Sequence, residues 1–256
     1  MYYYYLGIRK DLTMPTFRVC TSQTHLDAAV GLYIIEAALD SIRRRGVFVL
    51  CTSGGSLPKS FASALAWAHA SGIDPRTEQW HVFYADERHV GLTDAESNHF
   101  CTLGALGGAP WFKATLHPID PSLDLAACAA AYQRELEGVL AASSGAIDMV
   151  LLGMGPDGHT ASLFPGHALL GNLQDLVAPI ADSPKPPPKR VTLTLRAIRA
   201  ARQVCFIALG EAKAPLIAAI SEATPEGKAL PAALVHQSDG GVTWFLDAAS
   251  ARSLAQ

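Results

Sequence analysis

Asp157 and His159 stand two residues apart in a segment punctuated by four glycines, Gly153-Met154-Gly155-Pro156-Asp157-Gly158-His159-Thr160-Ala161-Ser162-Leu163-Phe164-Pro165-Gly166. An aspartate beside a histidine accepts the Nδ1–H bond, fixes the ring tautomer and stabilises the imidazolium, which is the equipment of a general base. A structural Asp–His turn is the competing reading. The setting favours chemistry, because the polar pair follows the end of an apolar, strand-like run in a glycine-rich loop. His69, His81 and His117 lack such a setting and read as structural or surface residues.

A second segment, Ser53-Gly54-Gly55-Ser56-Leu57-Pro58-Lys59, also follows an apolar run. Its glycines permit close backbone approach, and the helix start behind them offers free N–H groups and a positive dipole end. That suits a phosphate; an ordinary strand–helix turn with Ser56 as N-cap suits it equally. The glycine spacing and the missing Lys-Ser/Thr pair exclude a Walker A loop. In Asp86-Glu87-Arg88, three charges close another apolar run. They fit either a solvated loop entry or a cleft that holds Asp86 or Arg88, where Arg88 would meet a substrate oxygen or developing negative charge through charge-assisted bonds. Arg190 at a strand start and Lys213 in the turn after another strand are each, taken singly, surface charges. They gain meaning if a phosphate must be neutralised.

The elements that position these residues are legible in the pattern. Strand-like runs cover 17–20, 47–51, 80–85, 148–152, 190–195, 204–209 and 242–246, alternating with helical stretches at 23–45, 57–70, 97–105, 125–141 and 212–221. Asp124 is an N-cap candidate and Gly46 stands where a C′ glycine would end the first helix. The runs at 47–51 and 148–152 are apolar on both faces, the mark of a parallel sheet covered on both sides. The expectation is a single-domain α/β fold: an open, mainly parallel, Rossmann-like sheet flanked by helices. Ligands then bind beyond the carboxyl ends of the strands. The proline-rich stretch 183–190 cannot be helix interior; a domain linker is the alternative, but a strand-like run follows at once and it reads as a surface loop apart from these motifs. Residues 14–256 are expected to form the domain, with the tyrosine-rich 1–13 as a disordered tail.

The chain has 256 residues, 50% hydrophobic, with a formal net charge of −3. Arg43-Arg44-Arg45 more simply ends a helix than binds a polyanion, so no nucleic-acid partner is expected. No segment reads as a membrane span or secretory signal, and a cytoplasmic location is expected. The five cysteines form no Cys-x-x-Cys pair and their number is odd, which disfavours a disulfide framework and a zinc ribbon. They read as small buried residues in a reducing compartment. The histidines lack metal-ligand spacing, and neither a metal nor a cofactor is expected. Gly-x-Ser-x-Gly, the nucleophile elbow of serine hydrolases, does not occur around Ser53 or Ser56. The oligomeric state is not legible.

Ser53-Gly54-Gly55-Ser56, Asp86-Glu87-Arg88, Ser97-Asn98, the stretch 153–165, Arg190-Val191-Thr192-Leu193-Thr194 and Gly210-Glu211-Ala212-Lys213 together resemble the 6-phosphogluconolactonase family, in order and roughly in spacing. The resemblance implies a fold shared with glucosamine-6-phosphate deaminase. It implies hydrolysis of 6-phospho-D-glucono-1,5-lactone in the oxidative pentose phosphate pathway, a small-molecule substrate, and no cofactor. It further implies that His159 activates water and Asp157 orients it; that Gly54, Gly55, Ser56, Arg190 and Lys213 hold the phosphate; and that Arg88 lies near the reacting end, with Asp86 among the substrate-binding residues. Leu57 departs from the threonine frequent there in the family, and the proline-rich loop is a second departure that leaves the matched motifs untouched. The deaminase relatives carry a glutamate five residues after the loop histidine; here that residue is Phe164. A deaminase-like isomerase and a non-catalytic sugar-phosphate sensor are the competing functions.

Overall fold

A computed structural model describes residues 15–237 and 241–254; the expected 1–13 tail lies outside them. Among the described residues the chain forms ten strands and eight α-helices, mostly in alternation. The strands are β1 (Thr16–Cys20), β2 (Phe48–Thr52), β3 (Trp80–Tyr84), β4 (Asp86–Arg88), β5 (Thr115–Leu116), β6 (Met149–Leu152), β7 (Val177–Ile180), β8 (Arg190–Leu193), β9 (Val204–Ala208) and β10 (Val242–Asp247). The helices are α1 (Gln23–Arg45), α2 (Leu57–Ala70), α3 (Asn98–Leu106), α4 (Leu125–Leu140), α5 (Leu195–Arg199), α6 (Ala214–Ser221), α7 (Pro225–Ala229) and α8 (Pro231–Leu234).

Seven strands form one parallel sheet in the order β1-β10-β9-β6-β2-β3-β5. The first and last strands are neighbours, so no cut in the chain between them leaves two intact sheets. Side chains alternate between two cores because successive residues of a strand face opposite ways. Val49, Cys51, Val150, Leu152, Phe206 and Trp244 enter one core. Phe48, Leu50, Met149, Leu151, Cys205 and Phe245 enter the other, under α1 and α2. The whole of β2 is buried, which explains why its sequence lacks polar alternation.

The long helices follow local rules. In α1, Leu26, Val30, Ile34, Ile35, Ala38 and Ile42 form the buried stripe. The Ser22 side chain caps its first turn, and Gly46 ends it with a left-handed backbone, φ 78°. Asp124 caps α4 by accepting from the Ala127 N–H.

One expectation is corrected. The run at 190–195 does not join the main sheet: β8 pairs antiparallel with β4 on one side and β7 on the other, making a second, three-stranded sheet. Leu195 belongs to α5, whose N-cap is Thr194. Asp86-Glu87-Arg88 is a strand of that sheet rather than a solvated loop entry.

Because the main sheet is parallel, the segments after β2, β3, β6 and β9 all leave from one edge. From β2 the chain passes to β3 on one side, and from β6 to β9 on the other, so the central pair β2–β6 is the point where the winding reverses. Ser53 N–H still bonds to Leu151 O at 3.1 Å beyond the ladder. A crevice between diverging loops at such a point is where open α/β sheets bind ligands. The Gly54–Gly55 loop and the Asp157–His159 loop therefore open side by side.

Candidate active site

After β6 the backbone folds back on itself: Gly155 N–H donates to His159 O at 2.8 Å, and Gly158 N–H to Gly155 O at 3.1 Å. The tight turn lays the His159 ring against the residue-155 backbone. A Cβ at Gly155 would lie 2.0 Å from His159 Cε1 and Nδ1, so only glycine fits. Thr160 Oγ1 donates to Gly153 O at 2.9 Å, and Ala232 N–H donates to Gly158 O at 3.2 Å, which fixes the turn from both sides.

In this turn Asp157 Oδ1 and His159 Nδ1 form a hydrogen bond. The His159 side chain is 18% exposed, reachable by a water molecule but walled by Phe164, whose ring centroid lies 4.8 Å away. Burial pushes the imidazole pKa below its ordinary 6.5; Asp157 opposes this and Lys185 adds to it. For Asp157 burial acts upward, but its bonds to His159 and Lys185 prevail and hold the carboxyl at about 2. The pair at neutral pH is thus a carboxylate bonded to a neutral imidazole, with Nε2 available as a base when Nδ1 carries the proton.

The other candidates fall around this pair in different ways. Gly54 is pressed against Asn98, where a Cβ would meet Oδ1 at 1.8 Å. Asn98 Nδ2 donates to Asp86 O at 2.6 Å. Asp86 Oδ2 in turn accepts from Ser162 Oγ at 2.9 Å. A chain of contacts therefore runs from the β2 loop through β4 to the His159 loop. Ser56 precedes α2 without making a side-chain cap bond; the alternative of an N-capping serine is not what the structure shows. The hydroxyls of Thr52 and Ser53, and Arg88 Nε, are buried without a hydrogen-bond partner. Arg88 Nη1 donates to Glu96 O at 2.8 Å and meets Glu96 Oε2 at 3.1 Å. Asp86 is 5% exposed and lies behind the surface of the crevice.

Arg190 is 3% exposed. Its guanidinium donates to Lys185 O, Pro186 O and Pro187 O, each at 3.0 Å, and to Ser162 Oγ at 3.3 Å. It also lies over the Phe164 ring. Arg190 thereby clamps the proline-rich loop onto the His159 turn. Lys213 follows β9 on the same edge; burial lowers its pKa, and it interacts electrostatically with Lys185 and Asp157.

The proline-rich loop requires a second correction. It does not stand apart from the matched motifs: Lys185 Nζ lies 3.1 Å from Asp157 Oδ1 and 3.1 Å from His159 Nδ1. Sequence reasoning missed Lys185 because nothing local says where a loop lands. The available signal was a lysine stiffened by prolines, followed at once by a matched arginine. Glu87 was passed over too. Its buried carboxylate accepts from the Arg88, Asn98 and His99 amides at 2.7–2.8 Å and from Ser97 Oγ at 3.2 Å, seating the start of α3. Burial raises its pKa to about 6 despite these bonds.

Comparison with known proteins places the chain in a family. The family described as glucosamine-6-phosphate isomerases/6-phosphogluconolactonase matches residues 21–244. A 6-phosphogluconolactonase of Rattus norvegicus is 40% identical over 240 residues, covering 93% of each chain. That of Homo sapiens is 40% identical over 239 residues, covering 92% of each. The solved 6-phosphogluconolactonase from Trypanosoma cruzi superposes with a TM-score of 0.80 at 27% identity, covering 95% of this chain and 98% of that one. A monomeric glucosamine-6-phosphate deaminase, 18% identical, shares the fold with a TM-score of 0.74, covering 93% and 99%. The chain belongs to the glucosamine-6-phosphate isomerase/6-phosphogluconolactonase family.

Proposed function

We propose that this protein is a carboxylic ester hydrolase that opens 6-phospho-D-glucono-1,5-lactone to 6-phospho-D-gluconate, with His159 as general base. The observation that carries the reading is the buried-edge Asp157–His159 pair at the carboxyl end of the central strand β6. Its relatives are named for this reaction. His159 Nε2 takes a proton from water, the oxygen attacks the lactone C1, and the imidazolium formed is stabilised by Asp157. The imidazolium then returns the proton to the ring oxygen as the C1–O bond breaks. The tetrahedral oxyanion needs donors already in place, a role that suits Arg88, whose Nε is unpartnered.

The phosphoryl group is assigned to the Gly54–Gly55–Ser56 loop, the start of α2 and Lys213. A 14-residue helix with no side-chain cap at Ser56 presents its dipole to an anion. Arg190 enters this reading as the clamp of the proline-rich loop and Asp86 as the support of Ser162, neither of them touching substrate. Phe164 lies tilted beside His159 where a deaminase-like glutamate would have to shuttle a proton, which favours hydrolysis over isomerisation. All five cysteines are unpaired, which fits the reducing cytoplasm expected for the protein.

The test is a rapid coupled assay on freshly made lactone, read against the spontaneous opening rate. His159→Ala is expected to lower kcat by about 10²–10⁴-fold with the fold retained. Turnover near that of the parent protein removes His159 from the role.

A further inference from the structure

Lys185 stands where it opposes the chemistry just assigned. Its ammonium is a donor only, yet it lies 3.1 Å from His159 Nδ1 and 3.1 Å from the same Asp157 oxygen that Nδ1 bonds. If Nδ1 accepts from Lys185, the ring proton is on Nε2 and the base is blocked. If Nδ1 donates to Asp157, the ammonium shares the carboxylate and repels the imidazolium that turnover must form. In either tautomer, catalysis improves when Lys185 leaves.

We infer that Lys185 is a brake on the His159 base, released when the substrate's own phosphoryl group draws the ammonium away from Asp157. The inference rests on the lactonase reading above and concerns what the phosphate does beyond anchoring. The loop itself is fixed, because Arg190 holds three consecutive carbonyls and Ser183 N–H bonds back to Pro188 O at 3.1 Å. Only the side chain is left to move, on a flexible four-carbon stem, and it is 36% exposed. Lys213 lies within electrostatic reach of Lys185, so an anion held by Lys213 also attracts Lys185. A phosphoryl group carries about −1.5 to −2 charges at pH 7, against a single carboxylate already bonded to an imidazole. Asp157, Lys185 and, more weakly, Asp86 are the charged groups acting on the ring. Lys185 is therefore a positioning residue, acting through Asp157 and His159, and the preference for phosphorylated lactones resides partly in kcat.

The experiment compares the parent protein with Lys185→Met and Lys185→Gln on 6-phospho-D-glucono-1,5-lactone and on unphosphorylated D-glucono-1,5-lactone, the latter with and without phosphite dianion. Phosphite is expected to speed the parent protein on the unphosphorylated lactone by roughly 10-fold, a moderate coupling between two sites. Both variants are expected to turn over that lactone faster than the parent without phosphite, and to lose the phosphite response. Their acid limb in kcat/KM moves to higher pH, since the cation that depresses His159 is gone. Variants no faster than the parent on the unphosphorylated lactone, or still answering to phosphite, overturn the brake. A parent protein that leaves the phosphorylated lactone at its spontaneous rate overturns the lactonase reading instead, so the two failures are distinguishable.

Discussion

Gly155→Ala isolates the position of the proposed base from its chemistry. Gly155 has no positive φ, so alanine brings no backbone strain there; its methyl group simply lands 2.0 Å from His159 Cε1 and Nδ1 and 2.7 Å from Asp157 Oδ1. To regain a 3.4 Å contact the ring must retreat by about 1.4 Å. It cannot do so and keep its hydrogen bond to Asp157 unchanged, because both ring atoms in conflict lie on the side that faces the carboxylate. A misplacement of about 1 Å costs roughly 100-fold in rate, or about 2.7 kcal/mol of barrier. The coupled lactone assay should therefore show kcat down by about two orders of magnitude. KM should stay within a few-fold, because the proposed phosphate grip at 54–56 and Lys213 is untouched. Thermal melting by circular dichroism reports whether the fold survives. A folded Gly155→Ala protein with kcat within threefold of the parent would refute the argument that this glycine places the ring.

Three further outcomes follow from the same geometry. Asp157→Asn keeps the shape but removes the charge that selects the Nδ1–H tautomer, so kcat in the lactone assay should fall by up to about 10⁴-fold; a loss smaller than tenfold would deny Asp157 that role. The proposed base works only when neutral, and burial lowers the His159 pKa, so the acid limb of kcat/KM should have its midpoint below 6.5, the ordinary imidazole value; a pH–rate profile with the limb above 7 contradicts this. Glu87→Gln leaves one acceptor oxygen where two now serve four donors, which should cost about 1–3 kcal/mol in urea unfolding for the buried groups left unpaired. Equal midpoints for Glu87→Gln and the parent would show that α3 is seated by other contacts.

Reading the chain alone recovered what depends on neighbours in sequence. The helices at 23–45 and 57–70 are where periodicity put them, and Gly46 ends α1 and Asp124 opens α4 as their residue types predict. The Asp157–His159 pair was visible for the same reason: both members lie in one turn, so their spacing and the glycines around them carry the information. β5, two residues long, and β7, with Pro179 in it, are too short or too irregular for a periodic signal. Which strands pair was also beyond it. Periodicity cannot distinguish a strand of the main sheet from β8, whose partners β4 and β7 lie on either side of it in space.

Residue types therefore determined the fold class, the helices and the Asp157–His159 pair, since each rests on forces acting within a few residues. Tertiary structure alone decided that Arg190 clamps a loop, that Asp86 supports Ser162 across 76 positions, and that Lys185 reaches Asp157 across 28. Contacts between side chains far apart in the chain depend on how the packed layers bring loops to one edge of the sheet, and no local pattern encodes that.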